Sequence, residues 1–360
     1  MGVSSVGSRE RKQPHPRVVI AIVATDEAKN LVGCLGSLKN SIYREFSVVI
    51  CENGGREAFE RDVRELSEVP GMSEADAELD DRLGAAEGRR FRLGEDGRVV
   101  RILRSRENRG YSGGVNFCIA AAGTDWDFIW VLNPDTFPEP NAIGALVRRQ
   151  AEGGYGIVGS KIVFVAGGRV QLWGGLKYLP LLGRARSLGH GQPAEVTPDL
   201  REVEKALDVV AGTAMFVSKD YINTIGVMDE DFFVYHEDSE WSLRHGAFRL
   251  GYAHDSVVHH VAGATSGSGG PRPKRSRFSI YLSERNRVIL AKKRYRSVWP
   301  LLAVVALLQT LELLLRFHSW RSFKIALGGW WAGVSGETGM PGFMRTAQGT
   351  ATKVFLRRAD

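Results

Sequence analysis

Three short stretches hold the side chains best suited to chemistry. Asn133-Pro134-Asp135 ends the apolar run DFIWVL (127–132), which reads as a buried strand. A carboxylate in a turn at the carboxyl edge of an α/β sheet suits a hard divalent cation, Mg²⁺ or Mn²⁺, bridged to a phosphate. A proline-stiffened turn whose Asp caps the next helix explains the same residues without a ligand. The second stretch, FFVYHEDSEWSLR (232–244), sets Glu237 beside Asp238. Adjacent acids repel, so one of them keeps its proton to higher pH when both are partly buried. That suits a base that takes a proton from a sugar hydroxyl. Glu240 and Arg244 are four apart and pair on a helix. The plainer reading is a charged helix start favoured by the macrodipole, against which the flanking aromatics argue. The third stretch, His259-His260, follows the β-like run Ser256 to Val258. A histidine there is a metal ligand or phosphate contact, or, more commonly, a half-buried polar residue. A weaker signal is NRGYSGGVN (108–116), where glycines let backbone approach a ligand and helix N–H groups favour an anion. It departs from G-x-G-x-x-G after a first strand, which disfavours dinucleotide binding.

These residues need a sheet to hold them. VVIAIV (18–23) and FSVVIC (46–51) read as strands buried on both faces. Between them Leu31, Cys34, Leu35 and Leu38 form one helical stripe, so the segment is a βαβ unit. Residues 55–98 carry thirteen acidic and eight basic side chains and little strand pattern. They are expected to form a surface insertion with helical turns outside the core sheet. Strand pattern returns at 99–103, 127–132 and 155–165, and again at 209–217, where Gly212 interrupts it. Helices are expected over 141–150 and from Lys219 to Gly226.

The whole chain has 360 residues, a net charge of +7, 43% apolar and 25% charged residues. That composition argues against whole-chain disorder and against a multi-span membrane protein. Cys34, Cys51 and Cys118 have no zinc or disulfide spacing, which fits a reducing compartment. The first fifteen residues hold no apolar signal core, so a cytoplasmic location is expected. The basic excess gathers in 271–296, with ten Lys or Arg against Glu284, just before WPLLAVVALLQTLELLLRF (299–317). No nucleic-acid recognition motif surrounds it, so no nucleic-acid partner is expected. Gln309 and Glu312 weaken a transmembrane reading of 299–317; an interfacial helix at the anionic inner face of the cell membrane is the better expectation. The alternative is a helix covering the catalytic domain, or a homodimer interface.

In their order, these motifs resemble family 2 glycosyltransferases, inverting enzymes with the GT-A fold. The matching pieces are the CLGSL helix, Glu52-Asn53, NRGYSGGVN, NPD, DVVAGTAMFV, GVMDEDFFVYHEDSEWSLR and HVAGATSG, from about residue 17 to 267. NPD and ERNRVILAKKRY look most like the rhamnosyltransferase branch of bacterial surface-polysaccharide synthesis. The resemblance implies a mixed, mainly parallel central sheet flanked by helices and a C-terminal helical extension. It also implies an N-terminal tail over 1–16, a catalytic domain over 17–270 and a basic helical region over 271–360. Thr25 and Glu52 would hold the nucleoside, Asn108 and Gly110 would border its pocket, and Asn133 would meet the donor's ribose or sugar. Asp135 and His260 would hold Mg²⁺ or Mn²⁺. Asp238 would be the base with Glu237 beside it, and Gly212 and Thr213 would face the sugars. The donor would be a nucleoside-diphosphate sugar and the acceptor a saccharide or polyprenyl-diphosphate-linked saccharide. Three departures stand out: Thr25-Asp26-Glu27 in place of Thr-aromatic-Asn, Asn133 in place of the first acid of D-x-D, and the long 55–98 stretch. The rival functions are a sugar-1-phosphate nucleotidyltransferase, whose Gly-rich basic loop is absent after the first strand, and a non-catalytic polysaccharide or membrane scaffold.

Overall fold

The computed structural model describes residues 15–75, 84–261, 276–317 and 319–345. Residues 1–14 of the expected tail, residues 262–267 of the last motif, and Arg272, Lys274 and Arg275 of the basic run lie outside the described residues.

β1 (Val18–Ala24) is buried along its whole length, as an unbroken apolar strand covered on both faces should be. α1 (Ala28–Lys39) buries Leu31, Cys34, Leu35 and Leu38. β2 (Phe46–Glu52) pairs parallel with β1. After α2 (Arg56–Ser67) come β3 (Met72–Ala75), β4 (Ala85–Leu93) and β5 (Arg98–Ser105). α3 (Gly110–Ala121) then leads into β6 (Phe128–Leu132). β5, β2, β1 and β6 lie side by side and run parallel.

The 55–98 stretch departs from expectation, because β4 pairs antiparallel with β5 and β3 with β4, extending the central sheet. In β4, Ala85, Gly88, Phe91 and Leu93 are buried while Arg89 and Arg92 face solvent. A strand covered on one face shows charges on the other, and here those charges masked the pattern.

Beyond β6 lie β7 (Thr136–Pro138), α4 (Ala142–Gly153), β8 (Ile157–Phe164), β9 (Val170–Trp173), β10 (Gly175–Leu179) and β11 (Arg184–Ser187). They are followed by α5 (Leu200–Ala206), β12 (Val209–Val210), β13 (Ala214–Ser218), α6 (Lys219–Ile225), α7 (Glu237–Leu243) and β14 (Leu250–His260). The large sheet has the order β3-β4-β5-β2-β1-β6-β13-β8-β14-β7, with β9 also on β8. β11, β10 and β12 form a small second sheet. The break at Gly212 therefore marks the crossing of the chain between sheets: β12 pairs with β10, whereas β13 pairs with β6 and β8.

The C-terminal helices are α8 (Arg277–Arg294), α9 (Trp299–Phe317), α10 (Trp320–Ser335) and α11 (Gly342–Arg345). α10 crosses α8 so closely that a Cβ on Gly329 would lie 2.2 Å from the Tyr281 carbonyl oxygen. α9 buries Leu302, Ala303 and Ala306 against this pair and exposes Leu301, Val304, Leu308 and Leu311. Among the described residues no helix is long and apolar enough to cross a membrane. Three residues of the basic run bond within the fold. Lys292 donates to the Gly333 and Val334 carbonyls, Lys293 pairs with Asp229 and Asp231, and Arg294 donates to the Leu243 carbonyl.

Candidate active site

The carboxyl ends of β1, β2 and β6 open onto a cavity of about 720 Å³, lined by Thr25, Asn108, Gly110, Asn133, Asp135, Gly212, Thr213, Glu237, Asp238 and His260 among others. Strand pairing builds its first wall. β14 runs beside β7 with His260 opposite Thr136, which brings the histidine against the NPD turn. His260 Nε2 lies 3.2 Å from Asp135 Oδ1, and both side chains are buried. His260 Nδ1 lies 2.8 Å from Gln171 Oε1. That oxygen only accepts, so Nδ1 carries a hydrogen, which leaves Nε2 to face the Asp135 carboxylate. The contact is closed by a proton on the imidazole or by a cation between the two side chains, and an Asp–His pair suits Mn²⁺ better than Mg²⁺, which prefers oxygen ligands. Among the described residues no larger cluster of His, Cys, Asp and Glu suited to a metal forms. His259, by contrast, turns outward to Glu139 at 3.0 Å.

The acid pair forms the opposite wall, at the first turn of α7. Asp238 Oδ2 accepts from the Gly212 N–H at 3.1 Å, and Oδ1 accepts from Ser239 N–H at 2.6 Å and Ser239 Oγ at 3.2 Å. Burial raises the Asp238 pKa, and these donors hold the rise back. Burial, then the charge of Asp238, push Glu237 up to about 8, so Glu237 keeps its proton near neutral pH. Glu237 Oε2 has no protein partner. The two walls are joined by contacts: Tyr111 OH lies 3.0 Å from Asn133 Oδ1 and donates to the Gly212 carbonyl at 2.7 Å.

The approach to the acid pair is unusual backbone. Phe233, Tyr235 and His236 all have positive φ, at 63°, 73° and 69°. Val234 N–H donates to the Phe232 carbonyl at 2.7 Å, closing a γ-turn centred on Phe233. Each such residue costs about 1–3 kcal/mol and persists only where its surroundings hold it.

Thr25, Asn108 and Gly110 line the cavity where the nucleoside was expected. Asn108 Oδ1 accepts from Gly110 N–H, and Gly110 has φ +68°. A Cβ there would sit 2.3 Å from the Phe233 carbonyl oxygen, so only glycine fits. Asp26, one of the departures, pairs with Arg61. Glu52 is not brought to the cavity. It is fully buried below it, accepting from Gly54 N–H, with the buried Asp62 close enough to shift its pKa. The reason is steric: at the end of β2 the side chain turns under the Gly54 loop, and the next residue, Asn53, takes the wall. Asn53 Nδ2 donates to the Gly110 carbonyl at 2.8 Å. Asn53, Tyr111 and Gln171 were missed as site residues. The first two stood inside motifs already visible, whereas Gln171 carried no signal. Phe278, Met340 and Met344 also line the cavity, and nothing in the C-terminal sequence announced that.

Residues 86–238 match the family model "Glycosyl transferase family 2". The matched segment holds both walls except His260. Solved structures share the GT-A fold. S. aureus TarS 1–349 in complex with UDP-GlcNAc is 12% identical, over 88% of this chain and 81% of that one, with a TM-score of 0.50. GalNAc-T7 with UDP, GalNAc and Mn²⁺ is 14% identical, over 77% of this chain and 48% of that one, with a TM-score of 0.51. No curated protein sequence matches significantly. The expected fold, a mixed α/β GT-A domain with C-terminal helices, is the one observed.

Proposed function

We propose that this protein is an inverting glycosyltransferase that moves a sugar from a nucleoside diphosphate to a hydroxyl of a saccharide acceptor. The observation that carries the reading is the placing of the Asp135–His260 pair and the Glu237–Asp238 pair on one cavity. Asp135 and His260 would hold a divalent cation, with Gln171 fixing the histidine's tautomer. Such an ion supplies charge neutralisation for a departing diphosphate. Asn53, Asn108 and Gly110 shape the nucleoside end. Asp238, ionised beside a protonated Glu237, accepts the acceptor's hydroxyl proton as that oxygen attacks the anomeric carbon from the face opposite the leaving group. One displacement inverts the centre. A surface-polysaccharide role with rhamnose as the sugar rests on the NPD and ERNRVILAKKRY resemblance. A lipid-linked acceptor at the inner membrane face rests on the exposed apolar stripe of α9. The test is a panel of UDP-, GDP- and dTDP-sugars with and without Mn²⁺. A cognate donor should raise Tm by mass action and be turned over with an acceptor saccharide. No stabilisation by any donor, with no turnover, would sink the reading.

A further inference from the structure

The acid pair rests on a strained turn, and the groups that hold this turn come from outside the catalytic sheet. Asn286 lies in the middle of α8, fully buried. Its Nδ2 faces three main-chain carbonyls of the turn: Phe232 at 2.7 Å, Val234 at 2.8 Å and Tyr235 at 2.8 Å. Its Oδ1 accepts from Arg285 Nε at 2.9 Å, which fixes which end of the amide is the donor. Arg285, also fully buried, donates to the Phe232 carbonyl at 3.2 Å and to the Gly339 carbonyl at 2.7 Å. The carbonyl left between them, Phe233, accepts from Tyr111 N–H at 2.6 Å and Ser112 N–H, at the start of α3. Every carbonyl from Phe232 to Tyr235 is therefore taken by a donor outside the turn. Two residues later stands Glu237, and then Asp238.

We propose that Asn286 is a positioning residue for the acid pair: its amide holds the left-handed turn before α7 and so sets where the Asp238 carboxylate stands against the acceptor. This rests on the transferase reading above. It assigns the C-terminal helices a part in turnover, because a residue almost fifty positions downstream fixes the approach to the base. No residue of the large sheet offers the turn a comparable side-chain donor among the contacts described.

The test compares Asn286→Ala and Asn286→Ser with Asn116→Ala. Asn116 holds the Met228 main chain from α3 at 2.8 and 3.0 Å but lies off the cavity. Displacement of a reacting group by about 1 Å costs roughly 10²-fold in rate. The Asn286 variants should lose about that in kcat, with KM for the donor changed only severalfold, and the Ser variant should retain more activity than Ala. Amide hydrogen exchange should accelerate over 233–238 while β1 and β2 stay protected. Asn116→Ala should lower Tm and keep kcat. Unchanged kcat in folded Asn286 variants, or a loss no larger than in Asn116→Ala at equal Tm, overturns the proposal. If Asn286→Ala does not fold, Asn286→Ser decides on the same measures. If the wild type turns over no nucleotide sugar while exchange over 233–238 rises in the variants, the transferase reading fails and the clamp stands. An active wild type with exchange and kcat unmoved fails the clamp alone.

Discussion

At one wall of the cavity Asp135 sits in a turn between β6 and β7, beside the end of β14. At the other, Asp238 follows a turn that no strand supports and that α8 holds by its main-chain carbonyls. Ladder hydrogen bonds fix the first wall, so its geometry follows from the sheet. The second depends on side chains more than forty residues away in sequence. The Asp135–His260 wall should therefore tolerate changes in the C-terminal helices that the Glu237–Asp238 wall does not.

The sharpest way to break this division is at the acids themselves. Asp238→Asn should lower kcat by about 10²–10⁴-fold, the usual contribution of a general base, and leave Mn²⁺-dependent nucleotide binding near wild type. Equal loss of both, seen by comparing turnover with nucleotide titration, would return Asp238 to a structural role. On the other wall, Gln171→Leu removes the partner that fixes the His260 tautomer. Such partners are worth roughly 10–100-fold in metal affinity. The expected result is that much more Mn²⁺ needed for half-maximal stabilisation by nucleotide, with kcat at saturating metal little changed. Unaltered Mn²⁺ dependence would remove His260 from the cation site.

A smaller effect separates the two acids from each other. Glu237, held up to about 8 by burial and by Asp238, is protonated at neutral pH and ionises just above it. A second negative charge then sits beside the base, and repulsion loosens the pair. The pH profile of kcat should bend downward near 8 in the wild type, and Glu237→Gln should lack that bend. A bend that survives the substitution belongs to another group.

The same contrast explains what could be read from the chain. The parallel strands and the α1 stripe were legible because a strand buried on both faces is apolar throughout and a helix stripe repeats at i, i+3 and i+4. NPD and the acid pair stood out because packing rarely selects such residue types, and the structure brings both to one cavity. β4 was not legible, because exposed Arg89 and Arg92 interrupt the buried Ala85, Gly88, Phe91 and Leu93 and leave no clean alternation. Asn286 was visible only as part of a motif, since one buried amide among basic neighbours has no period. The basic run is partly used within the fold, where Lys292, Lys293 and Arg294 bond to carbonyls and carboxylates that the sequence could not reveal.

The gentlest expected effect lies beneath the Gly54 loop, where Glu52 and Asp62 are fully buried together. Burial, then the neighbouring Glu52, push Asp62 up to about 9, so Asp62 keeps its proton at neutral pH. The native state thus binds a proton that the unfolded chain, with an ordinary Asp, has released. For a carboxyl whose native pKa is raised, stability is greatest below the unfolded value near 4 and declines with pH until the native value near 9 is passed. Asn at this position has no proton to lose. Asp62→Asn should therefore flatten the fall of Tm between pH 5 and 9 and should raise Tm by a few degrees at pH 8, an increase of about 1 kcal/mol corresponding to roughly 2–4 °C in a protein of this size class. Differential scanning calorimetry at pH 5, 7 and 8.5 reads this directly. A variant that melts lower at every pH with the wild-type slope would mean that Asp62 is ionised in the native state and that Glu52 holds the proton instead.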